Sequence, residues 1–289
     1  MKKSILLSCV LAVALVGTLF SLPKVVVNNK GKDMDKEKGQ SGAVASTASA
    51  SASAPAAAAE SSSNSHDGAA LSPDQQKIVD QLRSGFNQAG DKGKVVAGIK
   101  LSDEFAKLQK FDSAAFYAEK VALLSPAVEN LMRAGDRYYE AYGFAVDEQK
   151  AKNLGSKTRE YYQKAIDQNP GLLTAKANMA MTYVNTENPM QGILMLREVI
   201  DADPTNELAL FNLGILSMRS NQYSKAADRF RQILTNNPAN TKAKFYLGLS
   251  LVELGDKEQA SKVLSEVKKE EKDPVIQQAI GELEGRLKN

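Results

Sequence analysis

Apolar residues recur with helical spacing through most of the chain beyond residue 95. Forward from Pro204 stand Leu210, Leu213, Gly214 and Ser217, then Tyr223, Ala226, Phe230 and Ile233, and finally Pro238. Leu210, Leu213 and Ser217 fall on one stripe of a first helix, and Phe230 and Ile233 carry the stripe of a second. Gly214 lets the second helix approach closely, and Ala226 offers it a small facing surface. Pro238 follows the second helix and helps to end it. Pro170, Pro204 and Pro238 lie 34 residues apart, a period that marks stacked helix-turn-helix units. After Pro238 the pattern returns as Leu247, Gly248, Ala260, Leu264 and Val267; after Pro170 it returns as Met179, Ala180, Tyr183, Gly192, Leu196 and Val199. Upstream, Phe111, Ala114, Val121 and Pro126 keep the spacing of Tyr223, Ala226, Ile233 and Pro238, with Leu101, Ser102 and Phe105 on the partner helix.

One unit breaks the period. Leu131, Ala134, Gly135 and Tyr138 open it, and Tyr162, Ala165 and Pro170 close it, with 11 more residues between Tyr138 and Tyr162 than the period allows. Ala151, Leu154, Thr158, Tyr161 and Ala165 continue a helical stripe through the extra stretch, and Asp147 is placed to cap its start. The pattern therefore predicts two lengthened helices that project from the stack, although Gly155 weakens such a helix by about 1 kcal/mol against Ala. Both ends of a stack need covering. Val275, Ile276, Ala279, Ile280, Leu283 and Leu287 make one apolar stripe for a closing helix, and Ser72-Pro73-Asp74-Gln75 reads as a capping box that opens a helix running to about Ala89.

The large apolar residue, Leu-Gly, Ala, Phe and closing Pro of this pattern resemble the tetratricopeptide repeat signature. The resemblance covers roughly residues 95 to 274 as five units: 95–127, 128–172 with the insertion, 173–206, 207–240 and 241–274. It implies an all-α, right-handed superhelical stack within a repeat domain over 71–289, with a capping helix at 274–288. In that family the first helices line a concave surface, and fixed positions of each face the ligand. Carried onto this chain these are Thr174, Ala177, Met181 and Val184, then Leu208, Phe211, Ile215 and Met218, then Lys242, Phe245, Leu249 and Val252. With Asn178 and Asn212, one period apart and placed to bond an extended peptide backbone, they give a candidate groove of Ala177, Asn178, Met181, Val184, Phe211, Asn212, Ile215, Met218, Phe245, Leu249 and Val252. Such an apolar face should not be left to water, and Met adapts to varied ligands. The expected occupant is a segment of a protein or peptide partner. The alternatives are the chain's own closing helix and a second copy, which would make the protein a self-assembling module that clusters its anchors. In the second unit Glu129, Met132, Asp136, Tyr139 and Glu140 make an acidic and aromatic patch, either a polar rim or, the favoured reading, a solvated face. Family members that grip a terminal carboxylate use a five-residue clamp; here Asn212 and Lys242 match, but Ala177, Met181 and Tyr246 do not, so carboxylate capture is not expected.

Ahead of the repeats, Lys2 and Lys3 precede a charge-free run from Ile5 to Leu22. At 1.5 Å per residue it spans about 27 Å, close to a hydrocarbon core. Leu19, Phe20 and Leu22 suit signal cleavage poorly, which favours an uncleaved anchor over residues 1–24. Residues 25–70 read as a linker: Ser41 to Ser65 is Ala and Ser with almost no large side chain, and buries too little to offset ordering. About 43 residues of flexible coil reach roughly 35 Å. The export-like start places the repeats on the outer, periplasmic side of a bacterial inner membrane. Lys24, Lys30, Lys32, Lys36 and Lys38 argue for the cytoplasmic side, and secretion after cleavage is the third alternative.

Charge and chemistry narrow the reading further. Of the net charge of +3, +2 falls in the first seventy residues, so the repeats are close to neutral and lack the concentrated positive face of a nucleic-acid binder. The one histidine, His66, lies in the linker, and the one cysteine, Cys9, lies in the apolar run. Neither can join a fixed metal or nucleophilic site. Gly93-Lys94 lacks the rest of a phosphate-binding loop, with Gln88 and Val95 at the other key positions. No enzyme activity, metal or cofactor is expected.

Overall fold

A computed structural model describes residues 70–186 and 188–288. The expected anchor, and the expected linker up to residue 69, lie outside the described residues. No helix among the described residues is long and apolar enough to cross a membrane. Twelve helices and no strands are found there. They are α1 (Pro73–Gln88), α2 (Asp91–Lys107), α3 (Phe111–Leu124), α4 (Val128–Gly143), α5 (Glu148–Gln168), α6 (Leu173–Val184), α7 (Pro189–Ala202), α8 (Glu207–Arg219), α9 (Tyr223–Asn236), α10 (Thr241–Leu254), α11 (Lys257–Glu270) and α12 (Pro274–Lys288). Each packs on its sequence neighbours. The first helices of the middle units also touch one another, α4 against α6 and α6 against α8.

The pairs close through one recurring contact. A Cβ built on Gly135 would sit 2.5 Å from the Tyr162 ring, on Gly214 2.7 Å from Phe230, and on Gly248 2.6 Å from Leu264. Three glycines in the same register therefore let three large side chains of the second helices lie directly on the first. The turns repeat as well: Gln109, Asn221 and Gly255, each two residues before a second helix, take positive φ, a conformation that costs Gly least. Asn206 and Asn240, one period apart, accept from the backbone N–H of Ala209 and Ala243 and so cap α8 and α10.

The inserted unit has one of the two lengthened helices its stripe predicts, α5 with 21 residues, whereas α4 with 16 is no longer than α2 with 17; Asp147 accepts from Lys150 N at the start of α5. The extension is tied down on both sides. Phe144 stacks on Phe111 at 4.3 Å and Lys150 pairs with Asp112 of the preceding unit. On the other side Asn185 donates to the Tyr142 hydroxyl, and Arg159 lies over the Tyr183 ring. Gly155 is buried where any side chain would crowd Tyr142, which accounts for a residue that weakens an isolated helix. At the ends, Ser72 and Gln75 form a reciprocal capping box for α1, and α12 buries Ile280 and Leu283 against the last pair.

Candidate functional site

The sequence-derived groove divides on folding. Met181, Val184, Phe211, Ile215, Phe245 and Leu249 are half-buried on α6, α8 and α10 and pack from outside onto two buried clusters. Ala177, Met218 and Val252 do not belong with them: they are 0 %, 7 % and 9 % exposed. Ala177 has one side-chain carbon and cannot reach past the packed first helices. Met218 and Val252, in the last turns of their helices, join the same interior cluster as Leu251, Ile280 and Leu283. Phe211 is partly structural, edge-on to Phe230 and Tyr246 at 5.6 and 5.2 Å. The Lys242 ammonium sits 4.3 Å from the centre of its ring, so the apolar run carries a cation at its middle.

The two asparagines also part company. Asn178 donates to the Tyr162 hydroxyl at 3.2 Å and lines a cleft with the second unit. The Asn212 Nδ2 is enclosed and has no partner among the described residues, so it is not free to bond a peptide backbone.

The acidic and aromatic patch of the second unit is not simply a solvated face. Glu129, Met132, Asp136, Tyr139 and Glu140 line one side of an open cleft of about 420 Å³, completed by Arg133 and Arg137 on α4, Tyr162 on α5 and Asn178 on α6. Its electrostatics are built across units. Asp103 on α2 accepts from Arg133 at 2.8 Å and from Arg137 at 2.9 Å, and Arg137 also reaches both oxygens of Glu140, at 2.7 and 3.0 Å. These bonds outweigh burial and hold the Arg137 pKa above its usual value. The Tyr162 hydroxyl, arriving from a fully buried ring, donates to Asp136 Oδ1 at 2.7 Å. Partial enclosure raises the Asp136 pKa, and nearby Glu140 adds to the rise, against the bond from Tyr162 and the charges of Arg137 and Arg133. Burial, then the Asp136 charge and bond, push the Tyr162 hydroxyl well up. Sequence reasoning missed Arg133, Arg137, Tyr162 and Asp103. Asp103 lies 34 residues before Arg137, so a search for opposite charges about one period apart would have found it.

A second network ties units one and two. Glu119 on α3 accepts from Tyr138 at 2.7 Å, Tyr161 at 2.8 Å and Lys157 at 2.8 Å. Burial works to raise its pKa, but the bonds from Lys157 and the two hydroxyls prevail and leave it lowered.

No curated protein sequence matches the chain. Among solved structures, PilW, a widely conserved type IV pilus biogenesis factor, aligns with a TM-score of 0.54 at 13% identity, covering 72% of this chain and 91% of PilW. MamA (residues 41 to end) from Desulfovibrio magneticus RS-1 gives 0.47 at 16% identity over 61% and 94%. YrrB, a TPR protein with an unusual peptide-binding site, gives 0.43 at 16% identity over 67% and 96%. Residues 217–283 match the tetratricopeptide repeat family model. That match runs from the last turn of α8 through α9, α10 and α11 into α12, so this part of the chain is tetratricopeptide repeat, and the second helix pair closes with the same glycine-on-ring contact.

Proposed function

We infer that this protein is a non-enzymatic interaction scaffold that holds an extended or helical segment of a protein partner along its third to fifth units. The observation that carries this reading is the run of half-buried Met181, Val184, Phe211, Ile215, Phe245 and Leu249 over three successive first helices. Apolar surface of that extent gains from a partner that removes it from water, and helices set side by side suit a laid-in segment. The repeat architecture, which holds proteins rather than performing chemistry, supports it further. Residues 1–24 would anchor the scaffold in a membrane and residues 25–70 tether it, with the repeats on the periplasmic side of a bacterial inner membrane; the charge-free run from Ile5 to Leu22 is the support for this.

The test uses Ile215→Lys with Leu249→Lys, and spares Phe211, whose ring contacts also hold the fold. In-cell crosslinking of the full-length protein followed by mass spectrometry should lose its partner bands in the double variant, with helical circular dichroism unchanged. Retained bands would remove the apolar run from the account. Light scattering on the detergent-solubilised protein covers the rival occupant: a dimer that dissociates on the same substitutions would assign the face to a second copy.

A further inference from the structure

The cleft of the second unit adjoins the apolar run, and its charges do not balance. Arg133 and Arg137 are matched by Asp103 and Glu140 through the bonds described above. Glu129 and Asp136 remain, and among the described residues neither forms an ion pair. The guanidinium groups already hold Asp103 and Glu140, and they act on Asp136 only through space, with no hydrogen bond to it among the described residues.

The Asp136 acceptor is held in place: Asn178 donates to the Tyr162 hydroxyl, which donates to Asp136 Oδ1, while Oδ2 has no hydrogen bond among the described residues. Met132 and Tyr139, both half-buried, provide an apolar wall, and they pack on the same buried cluster as Met181 and Val184. The cleft and the near end of the apolar run thus lie over one buried cluster. Its volume of about 420 Å³ falls within the range of small binding pockets, about 300–1,000 Å³, and admits one long side chain.

We propose that this cleft takes a single lysine or arginine side chain from the segment lying on the neighbouring units, its charge facing Glu129 and Asp136 and its stem against Met132 and the Tyr139 ring. Long cationic side chains bury an apolar stem while keeping a polar head, and aromatic faces attract cations. The inference rests on the scaffold reading and sharpens it by naming the partner's chemistry.

A phage-displayed random nonapeptide library, panned against the full-length protein in detergent micelles, should select peptides with Lys or Arg at one preferred distance from an apolar pair. The best binder is then synthesised with citrulline for Arg, or norleucine for Lys, and measured by fluorescence anisotropy. Neutralisation should weaken binding to the wild type about fivefold, as expected for a partly exposed ion pair. It should cost nothing further in E129Q/D136N, where the introduced amide still offers Tyr162 an acceptor oxygen and circular dichroism checks the fold. Selected peptides without Lys or Arg, or an equal penalty in wild type and double variant, would overturn the proposal while leaving the scaffold intact. Selection of no peptide, or unchanged affinity in I215K/L249K, would instead overturn the scaffold reading and this inference with it.

Discussion

The second and fourth units face the same packing problem and answer it with different chemistry. In each, a large ring from the second helix lies on a glycine of the first: Tyr162 on Gly135, and Phe230 on Gly214. The hydroxyl is the difference, and it propagates into the next unit. Sixteen residues after Tyr162 stands Asn178, which bonds it. One period on, Leu196 has no hydroxyl, and Asn212 keeps an enclosed Nδ2 without a partner among the described residues. One period further, Phe230 meets Tyr246 as a ring stack at 5.7 Å. The stack therefore passes from a polar register to an apolar one through a single mismatched step. One buried polar atom in a repeat sets what the following repeat must supply.

The comparison is broken most severely by Phe230→Ala. The ring is fully buried, covers Gly214 and contacts both Phe211 and Tyr246. Its removal should cost about 3–5 kcal/mol in urea unfolding. Stability in stacked repeats is a sum of nearest-neighbour terms, so amide exchange should speed first in α8–α11 and least in α3–α5. A uniform loss of protection would mean that the polar and apolar regions are one cooperative block.

Much of this architecture was legible in the sequence. The stripes of Leu210, Leu213, Phe230 and Ile233, the long α5 and its Asp147 cap all follow from local spacing. What was not legible depends on contacts between units. Ala177, Met218 and Val252 occupy ligand-facing positions by number, yet their exposure is set by how closely neighbouring helices approach, which glycines and alanines elsewhere decide. The cleft escapes a sequence reading for the same reason. Glu129, Asp136 and Glu140 look like a solvated stripe on α4 alone. Tyr162 and Asp103, which convert the stripe into a structured site, come from other helices 26 and 34 residues away from their bonding partners.

The mismatched step gives a sharper test, because one substitution at two equivalent positions should have opposite signs. Asn178→Leu removes a bond to Tyr162 and should destabilise by about 0.5–1.5 kcal/mol. Asn212→Leu removes an enclosed donor with no partner and should stabilise by about 1 kcal/mol, since a buried unsatisfied group costs more than an apolar one of similar shape. Urea midpoints for the two variants decide it. A loss in both would place Asn212 in a bond of its own and end the contrast between the registers.

The smallest effect separates the two carboxylates of the second unit's networks. Glu119 has a lowered folded pKa, because the bonds from Lys157, Tyr138 and Tyr161 outweigh burial. Near its unfolded pKa, about 4.3, the unfolded chain then binds more of this proton than the folded one. Its stabilisation is complete above that value and is lost as pH falls through the folded pKa. Asp136 is the reverse: burial raises its folded pKa, so the folded state holds the proton longer, and this carboxyl favours folding more at low pH than at neutral pH. In urea titrations between about pH 3 and 6, Glu119→Gln should therefore flatten the acid loss of stability, and Asp136→Asn should steepen it. Shifts of the same sign would mean that the cleft carboxyl is as well paired as Glu119, leaving no uncompensated charge there for a cationic side chain to meet.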